Sequence, residues 1–183
     1  MITSHQINLL IIIGIKGCGK SSVGQAVAQQ LEQPWHDTDR RIEEYYAQKH
    51  GIHYDCKAIV KHHGWDFFCQ LESQVFNNLS DLKHGVISTG GSSFFNSKHN
   101  HAFLNPHIII YLACDIDELH QRWGKYTPPW HIEHINHPLS QKALHDRDQC
   151  FSELANHTID VSLKTIDEIS RTICAILEKS TEM

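Results

Sequence analysis

The sequence predicts an α/β fold: a five-stranded, mainly parallel sheet with helices on both faces. Three observations predict it. Two nearly continuous apolar runs, Ile7 to Ile13 and Ile108 to Leu112, have the composition of strands buried on both sides, as strands of parallel sheets are. Segments with a helical apolar period alternate with such runs along the chain, the order that builds right-handed crossovers. A glycine-rich turn, Gly14 to Ser21, joins the first strand directly to the first helix. With 183 residues the chain can bury a core without disulfides or metal, so residues 1–183 are expected to form a single domain.

In order, the first strand is Ile7 to Ile13 and the first helix runs from Lys20 to about Leu31. After Gln33-Pro34, Trp35 to Asp39 reads as a short second strand ending in two carboxylates, Asp37 and Asp39. Arg40 to Lys49 is polar with Ile42, Tyr45 and Tyr46 on one side, a half-exposed helix that His50-Gly51 stops. Phe68, Leu71, Val75 and Leu79 repeat at helical spacing within Trp65 to Leu79. Gly85 to Ser92 is a brief strand running into a second glycine-rich turn. Ile108 to Leu112 is the fourth strand, and Asp115 caps a helix over Ile116 to Trp123. Residues 124–140 hold Pro128, Pro129, Pro138 and three histidines, too long a connection for a plain link and expected to be a lid. Gln141 to Ala155 is helical, Ile159 to Val161 is the fifth strand, and Ile166 to Glu178 is an amphipathic closing helix.

Composition narrows the function. A formal charge of -5, with 16 Lys plus Arg in no dense run, supplies no field for nucleic acid, and none is expected as a partner. The first apolar run is far too short to span a membrane and lacks the flanks of an export signal, so no membrane partner is expected either. Six cysteines without a C-x-x-C pair point to free thiols in a reducing cytoplasm. The 16 histidines form loose groups without metal-cage spacing and read as solvated surface residues.

The chemistry is concentrated in the turn after the first strand. Gly14-Ile15-Lys16-Gly17-Cys18-Gly19-Lys20-Ser21 reads G-x-x-x-x-G-K-S, and its strand and helix flanks are the context that gives this pattern meaning. Glycines let backbone amides turn inward around a polyphosphate, and the helix beginning at Lys20 aims its positive end at the same anion. Gly17, Cys18, Gly19, Lys20, Ser21 and Ser22 are therefore the expected nucleotide-binding residues, with Lys20 reaching the β- and γ-phosphates and Ser21 ligating Mg²⁺. In open α/β sheets ligands gather beyond the carboxyl ends of strands. The phosphate loop, Asp37 with Asp39, and Gly90-Gly91 all lie at such ends and are expected to converge on one crevice.

These residues resemble the shikimate kinase family, a small branch of the nucleoside monophosphate kinase-like P-loop group. Gly19-Lys20-Ser21-Ser22-Val23-Gly24 matches the family's extended phosphate loop, and Asp37-Thr38-Asp39 with Ile42-Glu43 matches its D-[ST]-D and I-E pair. Gly64, Phe68 and Glu72 partly match G-E-x-x-F-R-x-x-E, Gly90-Gly91 a glycine triplet, and Arg147, Phe151, Glu153 and Ala155 the closing R-x-x-[LY]-[YF]-x-E-x-A. The resemblance implies a three-layer P-loop NTPase fold that uses ATP and Mg²⁺ to phosphorylate a hydroxyl of a small polyol acid, with shikimate the nominal acceptor. It also implies Mg²⁺ held by Ser21 and, through water, by Asp37. Asp39 would orient the acceptor hydroxyls as a catalytic residue alongside Lys20. Gly90, Gly91 and Arg147 would bind the acceptor, and Arg122 would lie against adenine. A monomer is the family default.

Four departures fall on the acceptor side. Cys69 stands where the family has a carboxylate-binding arginine, Pro128 where it has a lid arginine, Ser92 at the third glycine, and Val60 at an aromatic pocket position. A charge-assisted hydrogen bond contributes about 1.5 to 3 kcal/mol, so the change at Cys69 alone is expected to weaken carboxylate binding by roughly tenfold to a hundredfold. Two alternatives follow from these departures: a kinase of the same fold with another acceptor, or a nucleotide-binding protein with little turnover.

Overall fold

In this computed structural model the described residues are 9–91, 93–94, 101–104, 107–123 and 141–181. Strand β1 (Leu10–Ile13) is the middle of the sheet, and none of its four side chains is more than 1% exposed. It is flanked by β3 (Val86–Ser88) and β4 (Ile108–Ala113); β2 (Trp35–Asp37) lies outside β3, and β5 (His157–Asp160) outside β4. The order β2-β3-β1-β4-β5 is parallel at every pairing, with Ile12 opposite both Ser88 and Ile110. A parallel strand with neighbours on both sides and helices on both faces has no solvated side, which is why this stretch is continuously apolar.

The helices are α1 (Lys20–Gln30), α2 (Thr38–His50), α3 (Cys56–His63), α4 (Trp65–Leu79), α5 (His101–Leu104), α6 (Ile116–Trp123), α7 (Gln141–Leu154) and α8 (Ile166–Thr181). Helix α1 packs against α8, with Gln30 Nε2 donating to Ser170 Oγ at 2.9 Å. Helix α2 packs against α3 and α4, and there Tyr46 Oη lies 2.8 Å from His63 Nε2. On the sheet side, Gly24 lets α1 come close to β2 and β3. A Cβ there would overlap Ser88 Oγ and approach Trp35 Nε1 to 3.0 Å. Ser88 Oγ accepts from Trp35 Nε1 (3.0 Å) and donates to the Lys20 carbonyl (2.9 Å), so one hydroxyl ties two strands to the start of α1.

Several boundaries differ from the sequence reading, each for a physical reason. The second strand stops at Asp37, and Thr38 and Asp39 belong to α2. Asp37 keeps an extended backbone while its carboxylate accepts from the Arg40 amide at 3.2 Å, so it is the N-cap of the helix. Asp39 thus sits in a first helical turn, where the macrodipole favours a carboxylate. Helix α3 was not anticipated, although Asp55 caps it through the Ala58 amide (2.7 Å) and Gly64 ends it. Eight residues with three buried side chains, Cys56, Ile59 and Val60, make too short a period to stand out. The fifth strand begins two residues early, at His157; only Ile159 of its four residues is buried, so an edge strand carries little apolar signal. The expected lid at 124–140, with Pro128, and the triplet position Ser92 lie outside the described residues. Among the described residues no helix is long and apolar enough to cross a membrane, and no group of three or more His, Cys, Asp or Glu is placed to hold a metal. None of the six cysteines forms a disulfide.

Candidate active site

The phosphate loop leaves β1 at Ile13 and enters α1 at Lys20. Ile15 (3% exposed) and Cys18 (1%) turn into the core and anchor it. Helix α6 holds the loop from outside: Trp123 Nε1 donates to the Lys16 carbonyl at 2.7 Å, and Arg122 Nη1 to the Gly17 carbonyl at 3.1 Å. A trans peptide sets its N–H opposite its carbonyl, so the hold on Lys16 turns the Gly17 amide away from α6. The Cys18 amide closes a turn onto the Ile15 carbonyl at 3.2 Å. The amides of Lys20, Ser21 and Ser22 open α1, whose N-cap Gly19 supplies no side-chain cap. First-turn amides have no intrahelical partner and form the anion-binding end of a helix. Lys20, only 6% exposed, folds back so that Nζ donates to the Ile15 carbonyl at 3.1 Å. Arg122, expected beside adenine, also pairs with Glu118 one turn earlier in α6.

The two carboxylates of Asp37-Thr38-Asp39 face different partners. Ser21 Oγ donates to Asp37 Oδ2 at 2.6 Å, which puts a hydroxyl and a carboxylate side by side at the start of α1. Two such oxygen donors are the ligand type Mg²⁺ takes, with the rest of its shell filled by water and phosphate. Asp39, two residues on in α2, instead accepts from Lys16 Nζ at 2.9 Å, a half-exposed ion pair with side chains 30% and 26% exposed. Thr38 between them is fully buried, and its Oγ1 accepts from the Gly90 amide at 2.9 Å. That bond pins the second glycine turn against α2, while Thr89 Oγ1 pins it to the Ile12 carbonyl at 3.2 Å.

Under this turn lies a buried acid. Glu72 of α4 is 4% exposed, and Ser93 Oγ donates to its Oε1 at 2.8 Å. Burial pushes the Glu72 carboxyl up to about 8; the Ser93 hydrogen bond pulls it down and the Asp39 charge pushes it up further. A Cβ on Gly90 would come within 2.8 Å of Asp39 Oδ1 and 3.6 Å of Glu72 Oε1, so glycine brings the turn close to both acids. Arg147 stands on α7, 7% exposed, with burial lowering its pKa. Tyr111 Oη donates to the neighbouring Asp148, which fastens α7 to β4 opposite the end of β1. Cys69 is on α4 one turn before Glu72, and Val60 is buried in α3.

Lys20, Ser21, Asp37, Asp39 and Gly90-Gly91 therefore meet at the carboxyl ends of three adjacent strands. The reading from sequence missed Lys16, Trp123 and Ser93. An apolar helix residue and a lone serine carry no signal until the chain is folded. A lysine inside a glycine-rich phosphate loop was the one visible hint.

A family model described as shikimate kinase matches residues 16–178. Among curated relatives, shikimate kinase 2 of Enterobacter sp. (strain 638) is 27% identical over 172 residues, covering 91% of this chain and 94% of that protein. Shikimate kinase 1 of Escherichia coli (strain K12 / DH10B) is 25% identical over 166 residues, covering 90% of each. A solved shikimate kinase from Acinetobacter baumannii in complex with shikimate superposes with a TM-score of 0.79 at 23% identity, over 95% of this chain and 94% of that one. The shikimate kinase of Aquifex aeolicus gives 0.74 at 23% identity, over 94% and 98%. The solved structures bear on the fold, a five-stranded parallel sheet with helices on both faces, and the family model matches nearly the whole chain: it belongs to the shikimate kinase family.

Proposed function

We propose that this protein transfers the γ-phosphoryl group of ATP to a hydroxyl of a small polyol acid, with shikimate the nominal acceptor. The observation that carries the reading is the division of labour within Asp37-Thr38-Asp39. Asp37 is hydrogen-bonded to Ser21 of the phosphate loop, while Asp39, across the buried Thr38, faces the Gly90-Gly91 turn. One carboxylate belongs to the nucleotide and the other to the acceptor. In this reading the first-turn amides of α1 and Lys20 bind the polyphosphate, Lys20 swinging from the Ile15 carbonyl to the β- and γ-phosphates. Ser21 and Asp37 hold Mg²⁺, which when bound neutralises phosphate charge. Asp39 orients the acceptor hydroxyl and accepts its proton, Gly90, Gly91 and Arg147 bind the acceptor, and Arg122 lies against adenine. Positioning and charge neutralisation are the main demands of phosphoryl transfer, and rigid strand ends supply the first. The same reading takes residues 1–183 as one domain, a cytoplasmic monomer with neither nucleic acid nor membrane as partner.

The test is ADP release from Mg²⁺-ATP with and without millimolar shikimate, with Lys20→Ala as control. Shikimate-dependent turnover that Lys20→Ala abolishes is the expected result, and Asp39→Asn should lose turnover while keeping ATP affinity. Cys69 gives a second reading some weight, because α4 brings a thiol rather than a cation to the turn before Glu72. If ATP binds but shikimate elicits no ADP, a panel of other acceptor hydroxyls tests for a kinase of the same fold with a different acceptor; silence across the panel leaves a nucleotide-binding protein.

A further inference from the structure

Of the side chains in the phosphate loop, Ile15 and Cys18 are buried in the core, Lys20 is folded onto the loop's own backbone and Ser21 is bonded to Asp37. Lys16 alone of them reaches toward the acceptor side, with its ammonium 2.9 Å from Asp39 Oδ2. Its backbone is clamped on two sides. Trp123 holds its carbonyl at 2.7 Å, and Gly91 presses so close that a Cβ there would come within 2.6 Å of the Lys16 nitrogen and 2.8 Å of its Cβ. The residue is thus wedged where the loop, the second glycine turn and the first turn of α2 meet. A nucleotide cradled by the loop and an acceptor held by Asp39 would have to exchange their phosphoryl group beside it.

We propose that Lys16 is a further catalytic residue: its ammonium contacts the oxygens of the phosphoryl group during transfer. The inference rests on the phosphotransferase reading above and adds a cation to it. In the step, the acceptor oxygen bonds to the γ-phosphorus and the bond from that phosphorus to the β–γ bridging oxygen breaks. ADP leaves with the electron pair, and the hydroxyl proton passes to Asp39. Negative charge therefore disappears from Asp39 and appears on the phosphorylated product. In the resting state Lys16 is paired with Asp39. As Asp39 takes the proton, that attraction is lost, and the ammonium turns to the phosphoryl oxygens without having to travel far. A cation at this point does not change how tightly ADP is held, because it answers only to the transferring group.

The experiment compares wild type, Lys16→Met and Lys16→Arg in two assays. In steady-state turnover, Lys16→Met should lower kcat by about 10³-fold, the low end of what a transition-state cation contributes, with the KM for acceptor little changed and Lys16→Arg partly restoring the rate. A raised acceptor KM with kcat intact would instead make Lys16 a ground-state binding group and overturn the proposal. The second assay measures binding of Mg²⁺-ADP by calorimetry with and without aluminium fluoride, which mimics the phosphoryl group in transfer. Wild type should bind ADP more tightly when aluminium fluoride is present, and Lys16→Met should bind ADP alone as wild type does but lose that gain. Retention of the gain overturns the role of Lys16. This arm needs no acceptor, so a protein that ignores shikimate defeats the acceptor assignment and still decides Lys16.

Discussion

Glu72 is the residue whose chemistry is set most completely by its surroundings. A carboxyl 4% exposed, bonded through one oxygen to Ser93 and facing the Asp39 charge, holds its proton to about pH 8 rather than releasing it near 4.5. The folded state therefore binds a proton that the unfolded chain has given up, and stability falls as pH rises from about 4.5 through about 8, then levels. The slope within that window is on the order of 1.4 kcal/mol per pH unit. Glu72→Gln keeps the shape and removes the titration. Urea unfolding at several pH values should show the slope in wild type and its absence in the variant; parallel curves would mean that Glu72 is already ionised in the fold. From sequence, Glu72 was legible as the last member of a resemblance motif, but its burial and its Ser93 partner were not, because the contact joins α4 to a turn 21 residues away.

Helix α1 shows what an element inherits from its neighbours. Its limits were readable from the G-K-S start and the apolar spacing of Val23, Val27 and Ala28, all buried. Its distance from the sheet was not, since that depends on Gly24 meeting Ser88 and Trp35. Gly24→Ala brings two opposed effects. Alanine is the better helix former by about 1 kcal/mol. Overpacking typically costs about 1 to 3 kcal/mol, and displacing the Ser88 hydroxyl also breaks its bonds to Trp35 and to the Lys20 carbonyl, each worth about 1 kcal/mol. The second effect should win by roughly 2 to 4 kcal/mol. Thermal melting should show a lower Tm, and ATP affinity should fall too because Lys20 begins the displaced helix; a raised Tm would show that α1 shifts freely. Helix α2 makes the complementary point. Asp37 is both the last residue of β2 and the N-cap of α2, and the second role rests on the bond from the Arg40 amide, which no local sequence pattern displays.

For the whole molecule, the expectation is one cooperative unfolding transition, since β1 lies at the centre of a sheet to which helices from both halves of the chain contribute. Two separated transitions would divide the chain and end the single-domain reading. Mg²⁺-ATP should raise the midpoint, because a ligand that binds only the folded state adds about 2.7 kcal/mol at a hundred times its Kd, and Lys20→Ala should cancel most of that shift. The sequence by itself determined the class of the fold, the position of the phosphate loop and the helix that follows it. Each of these is encoded in contiguous residues: an apolar run, a glycine spacing, a helical period. The tertiary structure alone decided that β3 lies between β1 and β2, that Lys16 meets Asp39 across 23 residues, and that Gly91 seats itself on Lys16. Crossover connections carry parallel strands to their neighbours, and the choice of neighbour is made by packing over the whole sheet rather than by any local pattern. The charge arrangement at the site is a product of that packing.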